Sequence, residues 1–155
     1  MSASRPFFYG SSKHRLNAKG QIAMPKRFRT VVGEEAPEQG FVLVLGERDC
    51  IYMYTHQQFG EVKERVRVIA KEENDQEFFR AFLENAHAVD LDRQGRFVLP
   101  GALRKRAGIK GPEVLFIGMD DRIEIWAPHK REDQRIDIDA YEERRQVQAR
   151  RIFGI

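Results

Sequence analysis

Apolar residues follow two rhythms along the chain. Unbroken apolar runs at 41–45 and 114–117, each followed by a turn and a second run at 51–54 or 123–126, predict two β-hairpins. The turns contain Gly46-Glu47-Arg48-Asp49 and Gly118-Met119-Asp120-Asp121. Between these hairpins the spacing becomes helical. Phe59, Val62, Val66 and Ile69 recur at three, four and three, and Phe78, Phe79, Phe82, Leu83 and Ala86 form a second stripe after the Asn74-Asp75 cap. Both stripes are expected to face a core. From Pro128 onward, Tyr141, Arg144, Arg145, Gln148, Arg151 and Ile152 lie among mixed charges, which suits a solvent-facing or subunit-bridging helix.

The β-pattern occurs twice. Residues 16–29, Leu-Asn-Ala-Lys-Gly-Gln-Ile-Ala-Met-Pro-Lys-Arg-Phe-Arg, align without a gap on residues 91–104, Leu-Asp-Arg-Gln-Gly-Arg-Phe-Val-Leu-Pro-Gly-Ala-Leu-Arg. Val42-Leu43-Val44-Leu45-Gly46 then aligns on Val114-Leu115-Phe116-Ile117-Gly118, with an intervening loop three residues shorter in the second copy. Each copy reads as a strand, a tight turn at Gly20 or Gly95, and a returning strand that runs into Pro25 or Pro100, which makes a hairpin. A short helix follows at 26–32 or 101–107, closed by Gly33 or Gly108. Two hairpins per repeat predict a small sheet or barrel.

The turns differ in one informative way. Asp92 and Arg96 flank the second, while Asn17 and Gln21 flank the first. Both partners change from charged to neutral together and keep hydrogen-bonding groups, as a contacting pair must to avoid an unpaired ion. Asn17, Gly20, Asp92, Gly95 and Arg96 therefore read as a structural hairpin motif. Ala18-Lys19 and Arg93-Gln94 are left at the tips.

Composition excludes several classes. With 155 residues, 41% hydrophobic and 33% charged, the chain suits one domain, and its single cysteine, Cys50, cannot close an internal disulfide. No apolar run is long enough to span a bilayer or form a secretory signal, so a cytoplasmic protein is expected. The net charge of +3 conceals a strong segregation. The first 33 residues hold Arg5, Lys13, Arg15, Lys19, Lys26, Arg27 and Arg29 and no acid; residues 91–110 hold Arg93, Arg96, Arg104, Lys105, Arg106 and Lys110 against Asp92 alone. Two basic segments in equivalent places sit in an otherwise acidic chain, which points to a polyanionic partner.

The duplicated Leu-Asp-x-x-Gly-Arg-apolar-x-apolar-Pro pattern, with helices between its copies, resembles the MraZ family. The likeness runs from Phe8-Tyr9-Gly10 to the C-terminal helix and departs at Asn17, Gln21 and Tyr9. It implies an α+β fold, a duplicated AbrB/MraZ-like swapped-hairpin β-barrel with packed helices. The whole chain, 1–155, forms one domain, with repeat one at about 7–72, repeat two at about 82–127 and a C-terminal helix at 128–155. The implied function is a sequence-specific, nucleoid-associated DNA-binding transcriptional regulator. It binds short direct repeats ahead of the division and cell-wall gene cluster as a ring-shaped homo-oligomer.

Lys13, Arg15, Lys19, Gln21, Lys26, Arg27 and Arg29 are the first-repeat candidates for contact with double-stranded DNA, and Arg93, Arg96, Arg104, Lys105 and Arg106 the second-repeat set. Arg15 and Lys19 are placed to reach a groove, Gln21 could read adenine, and Lys26, Arg27 and Arg29 suit phosphates. Arg96 is expected to be committed to Asp92. The alternative is an oligomeric assembly module whose basic hairpins meet acidic protein surfaces. No enzyme, cofactor or metal is expected: His14, His56, His87 and His129 are isolated, Asp120-Asp121 reads as turn chemistry, Cys50 reads as a small buried or edge residue, and no phosphate loop or catalytic triad is present.

Overall fold

The computed structural model describes residues 7–32 and 40–155; Arg5 and Gly33 lie outside the described residues. The strands are β1 (Ser11–Arg15), β2 (Gln21–Ala23), β3 (Phe41–Leu45), β4 (Ile51–Thr55), β5 (His87–Val89), β6 (Arg96–Val98), β7 (Glu113–Met119) and β8 (Arg122–Trp126). The helices are α1 (Lys26–Val32), α2 (His56–Glu72), α3 (Gln76–Glu84), α4 (Gly101–Arg106), α5 (Pro128–Gln134), α6 (Ile138–Val147) and α7 (Ala149–Phe153). The architecture is mixed α+β with antiparallel pairing throughout.

Six strands form one sheet in the order β1-β7-β8-β4-β3-β5, and β2 pairs with β6 in a separate two-stranded ribbon. The hairpins β3–β4 and β7–β8 form where the apolar runs place them. The other pairings cross between the repeats: β1 lies on β7, β5 on β3, β2 on β6 and β4 on β8.

Two expectations are corrected by this topology. The barrel does not close: β1 and β5 are the outer strands of an open sheet and do not pair with each other. The hairpins expected at Gly20 and Gly95 also end at the turn itself. Asn17 N donates to Gln21 O at 2.9 Å and Asp92 N to Arg96 O at 2.8 Å, but beyond those bonds β2 and β6 leave their incoming strands and take each other. The β2–β6 pairing sets Ile22 and Phe97 side by side in the main core, where both are buried. β1 already has a full register on β7, from Ser11↔Ile117 to Arg15↔Glu113.

The two equivalent runs also match one residue away from the sequence alignment. Phe41 and Leu43 face the core in β3, and Val114 and Phe116 do so in β7; correspondingly, Leu43 pairs with His87 while Phe116 pairs with Ser12. Phe41 therefore takes the place of Val114. Those four side chains join Ile22, Met24, Phe28, Ile51, Met53, Phe97, Leu99, Leu103, Ile123 and Ile125 in one continuous core.

Helix α2 leaves β4 directly through a capping box, in which Thr55 accepts from Gln58 N and the Gln58 side chain reaches back to the Thr55 backbone. It folds onto α3, which Asp75 caps by accepting from Phe78 N. Val66, Ala70 and Phe79 make a satellite core with Val62 and Phe82, and the Phe59 and Phe82 rings stack 6.1 Å apart. Ile69, Phe78 and Leu83 are exposed, a correction to the expected stripes. Two helices packed on each other bury one face each, and Ala70 takes the place at the seam that Ile69 was expected to hold. After β8, residues 128–153 hold three short helices, α5 to α7, with exposed Ile138, Tyr141, Val147, Ile152 and Phe153.

Candidate nucleic-acid interface

The ribbon is built by two Asx turns of the same design. Asn17 Oδ1 accepts from Lys19 N and Gln21 N, both at 2.9 Å, and Asp92 Oδ1 accepts from Gln94 N and Arg96 N, again both at 2.9 Å. A short carboxylate or carboxamide reaches these amides across the turn. The side chains then bridge the base: Asn17 Nδ2 donates to Gln21 Oε1 at 2.9 Å, and Arg96 Nε to Asp92 Oδ2 at 3.0 Å. The hydrogen bond from the Arg96 backbone N–H, followed by those from its guanidinium and the Gln94 N–H, holds the Asp92 carboxyl below its ordinary pKa. Gln21 uses one lone pair of its carbonyl oxygen on Asn17 and keeps the second lone pair and both N–H donors.

The ladder ties the turns together. Gln21↔Val98, Ile22↔Phe97 and Ala23↔Arg96 are in register, and Met24 N→Gly95 O at 2.9 Å and Leu99 N→Gly20 O at 3.0 Å extend the pairing at both ends. Each turn glycine thus accepts from the residue that precedes the other repeat's proline. Both glycines have φ +76°, a conformation that costs other residues energy.

The structure sorts the basic candidates by what they already hold. Arg15 pairs with Glu113 at 3.5 Å, both well exposed, a type of contact that contributes about 0–1 kcal/mol. Arg27 donates to Ser11 O at 2.8 Å and lies against Gly10. Arg96 is held by Asp92. Arg104 donates to Ile109 O and Gly111 O, both at 3.3 Å, closing the loop after α4. Lys13 on β1, Lys19 and Arg93 at the turn tips, Lys26 on α1, and Lys105 and Arg106 on α4 are exposed, and among the described residues none is held by an ion pair.

Arg29 does something its sequence neighbours do not suggest. Its side chain leaves α1 and lies on Gly95 of the other repeat's turn: a Cβ at Gly95 would come within 2.5 Å of its Nη1 and 2.7 Å of its Cζ. Its Nε is buried without a hydrogen-bond partner. Glu113, the partner of Arg15, carries no local signal in the sequence, because the β1–β7 register that joins them is a long-range pairing.

Remaining candidate chemistry is structural in its contacts. Burial lowers the pKa of His14, whose ring meets Phe116 edge to face. The Cys50 thiol is pushed up to about 12, first by burial and then by the Glu124 carboxylate. Glu124 is itself buried, accepting from Trp126 Nε1 at 2.9 Å and Arg122 Nε at 3.0 Å. No group of three His, Cys, Asp or Glu among the described residues is placed to hold a metal ion, and no described helix is long and apolar enough to cross a membrane.

These features define a small α+β protein with an open antiparallel sheet and a ribbon that joins one basic glycine turn from each half of the chain. A family model described as "MraZ protein, putative antitoxin-like" matches residues 82–152. A Transcriptional regulator MraZ of Acetivibrio thermocellus is 32% identical over 124 residues, covering 79% of this chain and 82% of that protein. Proteins of the same name from Syntrophomonas wolfei subsp. wolfei and Arthrobacter sp. (strain FB24) are 37% and 38% identical over 124 and 122 residues, covering 79% and 77% of this chain and 82% and 80% of theirs. The chain belongs to the MraZ family, which comprises transcriptional regulators and not enzymes.

Proposed function

We propose that this chain is a sequence-specific regulator of transcription that binds double-stranded DNA through the β2–β6 ribbon and the basic residues around its two turns. The observation that carries this reading is that its relatives, matched over about four-fifths of their length, bear the name transcriptional regulator. The ribbon suits the role physically. Two strands fit a major groove about 12 Å wide, and unpaired cations gain free energy by releasing counterions from phosphates.

In this reading the two halves are a duplicated swapped hairpin, repeat one at about 7–72 and repeat two at about 82–127. Arg15, Lys19 and Gln21 face the groove, while Lys26 and the second-repeat cations meet the backbone. The exposed pair with Glu113 lets Arg15 exchange its carboxylate for a phosphate at small cost. One chain offers a narrow footprint, so a ring-shaped homo-oligomer on short direct repeats, ahead of the division and cell-wall genes, supplies avidity when site spacing matches subunit spacing.

Footprinting on the DNA upstream of the chain's own gene, with sizing of the protein alone and on DNA, tests this reading. Regularly spaced protections that vanish when the repeats are scrambled are expected. If rising salt separates the subunits and no duplex is bound even at low salt, the assembly-module reading replaces it.

A further inference from the structure

The two turns look alike in sequence and in their Asx geometry, yet their surroundings differ. At Gly20 a Cβ would meet nothing within 4 Å, whereas the same atom at Gly95 would collide with the Arg29 guanidinium. Arg104 stands in the second repeat where Arg29 stands in the first, but it spends its N–H groups on Ile109 O and Gly111 O. The first turn therefore receives no arginine from the other repeat. The Arg29 side chain, by contrast, has no hydrogen-bond or ion-pair partner among the described residues, and its Nε is buried.

We propose that the second turn is a phosphate clamp made by both repeats: Arg93 at its tip and Arg29 carried over from α1, together gripping one stretch of DNA backbone. The proposal rests on the DNA-binding reading above and adds the residues and the division of labour. Only Nε of the half-buried Arg29 side chain is buried without an acceptor, which leaves the terminal guanidinium nitrogens to meet two oxygens of a phosphate in the planar arrangement that guanidinium matches. The local charge balance agrees. Asp92 and Arg96 cancel one another, leaving Arg29 and Arg93 without an ion-pair partner among the described residues at the second turn, against Lys19 alone at the first. Gly95 is required because any side chain there displaces Arg29 from the turn. The second turn thus supplies affinity that does not depend on base sequence, and the first turn, with the neutral Asn17–Gln21 pair, is left free to approach base edges.

The test uses the full-length chain, a duplex carrying the sequence upstream of its own gene, and a random-sequence duplex of the same length. Arg29→Gln and Arg93→Gln are compared with Lys71→Gln, which removes one charge from the far end of α2. Each of the first two variants is expected to weaken binding to both duplexes by the same factor and to lower the salt slope by about one unit. The gap to the wild type then narrows about fourfold between roughly 50 and 200 mM salt. Arg29→Lys retains the slope, and Lys71→Gln changes nothing.

If Arg29→Gln lowers the melting temperature but leaves the slope unchanged, Arg29 is only a structural cover and the clamp is wrong. A change in subunit number with unchanged DNA binding overturns it in favour of a protein contact. Wild-type protein that binds neither duplex removes the regulator reading itself, an outcome separate from failure of the clamp alone.

Discussion

Ile22 and Phe97 face each other at the centre of the β2–β6 ladder, and each is the residue that the other repeat carries at that place. Tyr52 and Glu124 have the same relation in the β4–β8 ladder. When equivalent residues pair, exchanging the repeats leaves the ladder unchanged. The outer pairings obey the same exchange, since β1 on β7 answers β5 on β3. Neither half contains all its own ladder partners.

Core truncation at this centre should be severe. Ile22 and Phe97 are 1% and 2% exposed, so Ile22→Ala should cost about 3 kcal/mol and Phe97→Ala about 4 kcal/mol in urea unfolding. The double variant should cost less than the sum by at least about 0.5 kcal/mol, because cross-strand neighbours share one cavity. Additive costs would show that the ladder does not couple the two residues.

The glycine turns give a paired comparison. Alanine at position 20 meets open space and pays only for positive φ, about 1–2 kcal/mol. Alanine at position 95 pays the same strain, and the end of a flexible Arg29 side chain can move away. Thermal unfolding should therefore place Gly20→Ala and Gly95→Ala close together. A far larger loss at Gly95 would mean that Arg29 cannot leave the turn without disrupting the fold.

Asp92 sets an acid-side dependence. Its folded pKa lies below the usual carboxylate range, so its stabilising contribution is complete above about pH 4, the unfolded value, and is lost as pH falls through the lowered folded value. Asp92→Asn keeps an acceptor for the two turn amides, as Asn17 does, and should remove that dependence while staying near wild-type stability at pH 7. Asp92→Ala should be less stable than either at pH 7. Equal stability of all three from pH 2 to 7 would remove the turn's role.

The Cys50 environment makes the reverse prediction at high pH. A thiol pushed up to about 12 stays protonated in the fold while the unfolded thiol ionises near 9, so this contribution is present below about pH 9 and fades as pH rises toward 12. A thiol reagent should label Cys50 at pH 8 only after denaturant is added, and the stability gap between wild type and Cys50→Ala should shrink above pH 9. Rapid labelling of the native protein contradicts the buried placement.

The sequence made local structure legible and left long-range choice open. Both apolar hairpins and the Asp75-capped helix follow from spacing and capping residues, and the exchange of Asp92 and Arg96 for Asn17 and Gln21 revealed a contacting pair. The one-residue error in matching β3 with β7 has a plain cause. Phe41, Val42, Leu43 and Val44 are all buried, so no alternation marks which side chains face the main core. Likewise, a tight glycine turn predicts that its flanking strands approach each other, but it does not say that a distant copy will capture the returning strand. Arg29 was legible as a cation and not as a companion of Gly95, because that contact exists only once β2 and β6 have paired.

Equilibrium binding of the full chain to the duplex upstream of its own gene, beside a scrambled duplex of equal composition, from about 50 to 200 mM salt, tests the DNA-binding claim most directly. The upstream duplex is expected to be bound at least about a thousandfold more tightly near physiological salt, with both affinities falling steeply as salt rises. Equal affinity for the two duplexes, or binding that does not change with salt, would contradict that claim.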